Sequence, residues 1–358
     1  MTNSNLLTKT ESAALRGLAI LGIVLHNYCH FLDFAVKENE YTFTASKPVD
    51  FLSKLLTADT HLFVHFFSFF GHYGVPVFLF ISGYGLVMKY ESTSMPPGAV
   101  KPSSFMTSHF LKLFRLMILG YLAFIAIYVL RHNDAATIYS WDRVVTQLTM
   151  TINFLYFDPD HIIKPGPYWF FGLMLQLYAL YVFVLRRWRN PWLLAVLVAL
   201  SFCLQWGLAQ QRDWLNYVRY NFIGGLLPFC MGVAWARHGA SMTLSRARCM
   251  VLLLVSACFV LWGSQSYVTW LWVPLFIVTG ALATVRLLPA SLLQPFVWFG
   301  GLSAALFVMH PLAREIVIPH YRHADLYFGI LIYLCTSVAL AMLLKYILKY
   351  IPEYKSKK

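Results

Sequence analysis

Ten apolar windows leave this 358-residue chain few ways to fold. They run roughly over 12–31, 62–88, 108–130, 168–186, 191–209, 219–236, 249–264, 267–285, 295–313 and 326–348. Hydrocarbon offers backbone N–H and C=O groups no water, so a segment that crosses it must satisfy its own backbone as a helix or in a closed barrel. Runs of ~20 apolar residues suit the helix, which rises about 1.5 Å per residue through a core of about 30 Å. Only 12% of the residues are charged, against about 25% in a soluble protein. The windows therefore predict an all-α polytopic membrane protein, with about ten transmembrane helices in one bundle and a single integral-membrane domain over 1–358. The first window is read as a retained span, because no small-residue cleavage site follows it. The second is broken at "GHYGVP", where Gly71, Gly74 and Pro76 predict a re-entrant piece followed by a span.

Charge placement predicts the orientation. With a cytoplasmic N-terminus, 18 of the 28 Lys and Arg residues fall inside, against three acids (Glu11, Glu91 and Glu353). The positive-inside rule selects this topology, and an even span number places both termini in the cytoplasm. The formal charge of +13 is then mostly a topology signal, and no nucleic-acid partner is expected. The six cysteines lie in or beside apolar runs without a CxxC pair, so they read as small core residues. The longest outer segments, about 32–61 and 131–167, are too short for separate catalytic domains. Chemistry must lie in the bundle or at its faces.

Polar side chains in hydrocarbon are costly and often functional. The first window reads "RGLAILGIVLHNYCH" and holds Arg16, His26, Asn27 and His30. His26 and His30 are four apart and share a face, while Arg16 lies about 15 Å from His26 along the axis. Arg16 either snorkels to lipid phosphates or holds an anion, and the histidines either join helices or carry chemistry. Lys112 and Arg115, three apart, begin another window and have the same two readings, lipid anchor or cationic pocket. "HLFVHFFSFFGHYGVPVFLFISGYGL" carries His61, His65, His72 and Ser82, but no close-set carboxylate or Cys, so no metal site is expected. Tyr168 and Trp169 suit an interfacial belt, Gln176 is polar in mid-span, and Ser303 and His310 lie two turns apart on one face. No P-loop, dinucleotide-binding glycine turn, GxSxG elbow or zinc helix occurs.

Taken in order, these segments resemble the acyltransferase-3 family of integral membrane O-acyltransferases. Its Arg followed about ten residues later by His is similar to "RGLAILGIVLH", its FFxxSGF-like element to "VFLFISGYGL", and its RxxR element to Lys112 and Arg115. Its WFL segment resembles "YWFFGLMLQLY", its Phe-rich sixth span "FIGGLLPFCMGVAWAR", and its SxxxYxxH ending "SAALFVMH", with Phe307 in place of Tyr. One spacing departs from the pattern. Arg16 and His26 differ by ten positions rather than eleven, which turns His26 about 80° from Arg16 on an ideal helix and places Asn27 in the aligned position.

The resemblance implies transfer of an acyl group, usually acetyl, from cytoplasmic acetyl-CoA to a hydroxyl of an extracytoplasmic glycan or lipid-linked sugar, in the cell's cytoplasmic (inner) membrane. Arg16, Lys112 and Arg115 would hold the CoA phosphates. His26 would act as general base or acyl carrier, with Arg16, His30 and Asn27 also candidates for the catalytic set. Ser82, Tyr168, Trp169, Gln176, Ser303 and His310 would contact the acyl carbonyl or the acceptor. A transporter or flippase for a glycolipid or small anion, and a relay delivering acetyl to a partner enzyme, remain as alternatives.

Overall fold

The computed structural model describes residues 6–91, 100–241, 244–322 and 325–353. Every regular element among them is helical, and two compact units form from interleaved stretches of chain. Among the described residues seven helices are long and apolar enough to cross a membrane: Lys9–Cys29, Leu62–Tyr90, Pro102–Arg131, Gly166–Leu185, Arg246–Gly263, Ala290–Tyr321 and Leu326–Ile347. The remaining three windows fall on shorter helices, Pro191–Gly207, Phe222–His238 and Val273–Leu287. At 17 residues a straight helix reaches about 25 Å, short of the full hydrocarbon thickness.

One unit comprises Met1–Pro97, Trp188–Ala209 and Gly225–Ser303. Its first helix starts in a capping box: Glu11 N–H donates to Thr8 Oγ1 (3.1 Å), and Thr8 N–H donates to Glu11 Oε2 (2.7 Å). Glu11 also pairs with Arg286 at 3.1 Å, which ties this end to the helix Val273–Leu287. The buried face of the first helix, Ala14, Leu15 and Ala19, meets Val77, Phe80, Ile81 and Tyr84 together with Val278, Leu282 and Val285. Close helix approach in a membrane depends on small residues, since lipid tails are as apolar as leucine. Gly71 shows why: a Cβ there would lie 2.5 Å from Gly22 O and 2.6 Å from His26 Cβ. The "GHYGVP" break is one 3₁₀ turn, Gly71–Tyr73, inside a continuous 29-residue helical run. The chain tightens there to bring its backbone against the first helix, instead of leaving and re-entering.

The other unit comprises Gly98–Arg187, Gln210–Gly224 and Ala304–Lys358. Within it Tyr168, fully buried, donates its hydroxyl to Val308 O at 3.0 Å. Arg115 donates to the carbonyls of Leu348 and Ile351, at the C-terminal end of the helix Leu326–Ile347. A cation at orphaned terminal carbonyls is favourable there, both as a hydrogen-bond donor and against the helix dipole.

Candidate functional site

Three turns of the chain converge on the C-terminal end of the first helix. His26 lies in its last turn and is 6% exposed; its Nδ1 is 3.0 Å from Ser68 O and 3.3 Å from Phe67 O. Both partners are carbonyl oxygens, which only accept. Nδ1 must therefore carry the proton, which assigns the tautomer and leaves the lone pair of the neutral ring on Nε2. The carbonyls belong to the helix Leu62–Phe70, at the point where the 3₁₀ turn interrupts the regular ladder.

His30 caps the first helix. Its Nδ1 is 2.7 Å from Glu38 Oε2, a carboxylate oxygen that only accepts, so this ring too carries a proton on Nδ1. The ring centroids of His26 and His30 are 5.2 Å apart, and those of His26 and His72 5.6 Å. Glu38 is 7% exposed. Burial pushes its carboxyl pKa up, but the His30 hydrogen bond and the nearby His26 and His72 outweigh this and hold it well below the usual carboxylate range. Glu38 is thus an anion kept out of water, where an unpaired charge would cost several kcal/mol.

The segment carrying Glu38 has no regular structure and is fixed by side chains instead. Val36 N–H donates to His65 Nδ1 (3.2 Å), and Ser68 Oγ donates to Val36 O (2.6 Å). Lys37 Nζ reaches Leu32 O (3.0 Å), and Lys47 Nζ reaches the Glu38 carbonyl (2.6 Å). Trp270 Nε1 donates to Asn39 O at 3.0 Å. These bonds replace the ladder that a helix would have provided.

His65 shows the opposite chemistry. Its Nδ1 accepts from Val36, which assigns the proton to Nε2, and Nε2 faces Asp59 Oδ1 at 3.3 Å. Asp59 lies between helices, and its pKa is brought down to about 2, first by the His61 N–H and then by Lys54. Both nitrogens of His65 are committed, so this histidine ties the loop to the helix.

The remaining sequence candidates divide between the two units. Asn27 donates Nδ2 to Ile23 O (3.0 Å), along its own helix. Arg16 is half-buried, its Nε is buried without a hydrogen-bond partner, and no ion pair to it occurs among the described residues. Ser82 donates to Phe78 O (2.8 Å) and Ser303 to Gly300 O (2.9 Å), both within their own helices. In the other unit Lys112 is exposed, and Arg115 has the helix-terminal partners described above. His310, fully buried, has Nδ1 3.1 Å from Leu306 O. Trp169 lies edge-on to Tyr220, with centroids 5.2 Å apart. Gln176 uses both ends of its amide: Nε2 donates to Asn221 Oδ1 (2.8 Å), and Oε1 accepts from Phe222 N–H (2.9 Å).

Sequence reasoning missed Glu38 and gave His72 no place beside His26. The available signal for Glu38 was a carboxylate eight residues after a helix-ending histidine, in "CHFLDFAVKENE". Among the described residues, two groups have the donor types to hold a metal ion: His26 with His30 and Glu38, and Asp158 with Asp160 and His161. In each group one ligating atom per residue lies within 4.8 Å of the others. In the first group both Nδ1 atoms already donate, so an ion would have to take Nε2 atoms or displace Glu38.

The geometry provides one buried imidazole with a fixed Nδ1–H, a second held by a buried carboxylate, and about 15 Å along the same helix a guanidinium with no ion pair among the described residues. A family model described as an acyltransferase domain matches residues 12–347. No curated protein and no solved structure matches the chain.

Proposed function

This chain belongs to the acyltransferase-3 family, and from that premise we propose that it moves an acyl group, acetyl in the simplest case, from cytoplasmic acyl-CoA to a hydroxyl of an extracytoplasmic glycan or lipid-linked sugar. In this reading the ten windows all sit in the cytoplasmic membrane, with both termini inside. The single observation that carries the chemistry is the fixed tautomer of His26. Nδ1 faces two carbonyls, so the atom with the lone pair is Nε2, and a neutral imidazole is a fit general base for a hydroxyl.

The step balances without a net proton. Nε2 of His26 takes the hydroxyl proton as the oxygen attacks the thioester carbonyl. The C–S bond breaks, the ester forms, and the departing thiolate recovers the same proton. Arg16, which forms no ion pair among the described residues, supports the reading as a contact for a CoA phosphate. Arg115 enters only with whatever donors its helix-terminal carbonyls leave unused.

Mass spectrometry of envelope glycans and lipid-linked sugars from cells with and without the gene tests the proposal. Esters removable by mild base should be present only with the gene. Movement of a glycolipid across the membrane with no ester on any product would replace this reading with that of a flippase.

A further inference from the structure

Glu38 is the residue in this cluster whose position takes the most structure to maintain. The backbone on either side of it is held by His65, Ser68 and Trp270, and its own carbonyl by Lys47. Its carboxylate is buried against His30, and one ligating atom each from Glu38, His26 and His30 lies within a 4.8 Å cluster. The titratable groups around it are His30, His26 and His72, with the Lys47 ammonium at its backbone carbonyl and that of Lys37 at the Leu32 carbonyl. An anion fixed this firmly beside two imidazoles suits a task in which one of those rings becomes positive for a moment.

We propose that Glu38 is a positioning residue of the acyl transfer. It holds His30 with a proton on Nδ1, and through that pair it supplies the fixed negative charge against which His26 becomes an imidazolium. This rests on the reading of His26 as the base. The proton moves only between the acceptor hydroxyl, His26 Nε2 and the thiolate; Glu38 neither gains nor loses one. A preorganised charge favours the transition state over the ground state, because the positive charge exists only while the proton is on His26. Its loss should therefore appear in kcat and spare the KM of the donor.

The test uses the full chain in membranes that supply the acceptor, with acetyl-CoA as the donor probe and base-labile ester as the product measured. Glu38→Gln keeps the shape and an acceptor oxygen for His30 but removes the charge. Its kcat should fall about ten- to a hundredfold, by analogy with the partners that orient metal-bound histidines, while the KM for acetyl-CoA stays within about twofold. Glu38→Asp, which restores the charge on a shorter stem, should recover part of the loss. His26→Gln in the same membranes keeps the two claims apart. If His26→Gln is inactive and Glu38→Gln retains full kcat, the role of Glu38 is overturned and the base stands. If His26→Gln is active, the base itself is wrong. A raised KM with unchanged kcat in Glu38→Gln would make Glu38 a donor-site residue and overturn the proposal. Should Glu38→Gln fail to accumulate, His30→Gln cuts the same link; the same loss in kcat supports the proposal, and an unchanged kcat overturns it.

Discussion

His26, in the last turn of its helix, and Gln176, in the middle of another, are both buried polar side chains on apolar helices. They are satisfied in different ways. Gln176 is a closed amide in its unit: Asn221 Oδ1 and Phe222 N–H occupy its two ends, and Asn221 Nδ2 in turn reaches Asn153 O (2.9 Å) and Tyr217 O (2.8 Å). Asn153 extends the network by donating to Tyr220 O at 2.6 Å, while its own Oδ1 is buried without a hydrogen-bond partner among the described residues. His26 in the other unit spends one nitrogen on two carbonyls, which leaves a lone pair on the second. A closed side chain fastens helices together, whereas a half-closed one keeps capacity for a substrate. The difference lies in the partner atoms and is invisible in residue type or burial.

The most damaging way to break the comparison is at the open group. His26→Gln still offers an amide donor to Ser68 O and Phe67 O, so the chain should accumulate, but it lacks the basic nitrogen. Ester formation should fall about 10²- to 10⁴-fold, the usual contribution of a general base, as measured by initial rates in membranes. His65→Gln, at the histidine with two committed nitrogens, should instead lower thermal stability in detergent and leave most of the rate per folded molecule.

Gly71→Ala sharpens the same contrast through packing. The added methyl would meet Gly22 O and His26 Cβ, both backbone-fixed, at 2.5 and 2.6 Å. The two helices must separate, at a cost of about 1–3 kcal/mol for overpacking, and the rate should fall together with the melting temperature. In the Gln176 network, Asn221→Leu strands the amide of Gln176 and the Asn153 carbonyl. Leaving such groups unpaired costs about 1–3 kcal/mol, although transmembrane hydrogen bonds average nearer 0.6. The melting temperature should drop while kcat per folded molecule stays within about twofold. A loss of kcat without a loss of stability would place that network in the chemistry.

The smallest effect belongs to His161, whose Nδ1 is 3.0 Å from both Asp158 and Asp160. Hydrogen bonds to these two carboxylates raise its pKa from 6.5 to about 10, and Asp158 is brought down to about 2. The stabilisation from His161 is then fully present below about pH 6.5 and lost as the pH rises towards 10. That from Asp158 is present above about pH 4 and lost as the pH falls towards 2. The His161 side chain is 74% exposed, so the gain is under about 1 kcal/mol. Proteolysis of this loop should quicken between pH 7 and 10, and His161→Gln should flatten that dependence.

Much of the fold was legible in the sequence because apolar length is a strong signal: seven of the ten windows coincide with helices of spanning length. The other three windows, at 191–209, 219–236 and 267–285, lie on helices of 15 to 17 residues, one of which runs through a proline at position 228. His26, His30 and Arg16 were visible as polar residues in an apolar run. The partner of His30 was not, because Glu38 sits in an irregular loop whose path depends on His65, Ser68 and Trp270, up to 231 positions away in the chain. Nor does spacing reveal that Arg115 reaches the carbonyls at Leu348 and Ile351. The first helix runs unbroken from Lys9 to Cys29 through the ten-residue spacing of Arg16 and His26, with the His26 ring against the 67–68 carbonyls and Asn27 folded back on Ile23.

The most direct measurement supplies acetyl-CoA, labelled in the acetyl group, to the cytoplasmic face of sealed membrane vesicles containing the protein, and follows where the label goes. The expected result is label in a base-labile ester on a hydroxyl at the opposite face, formed by the wild-type chain and lost in His26→Gln. Label that stays on CoA while the acceptor is present, or an equal yield of ester from both chains, would contradict it.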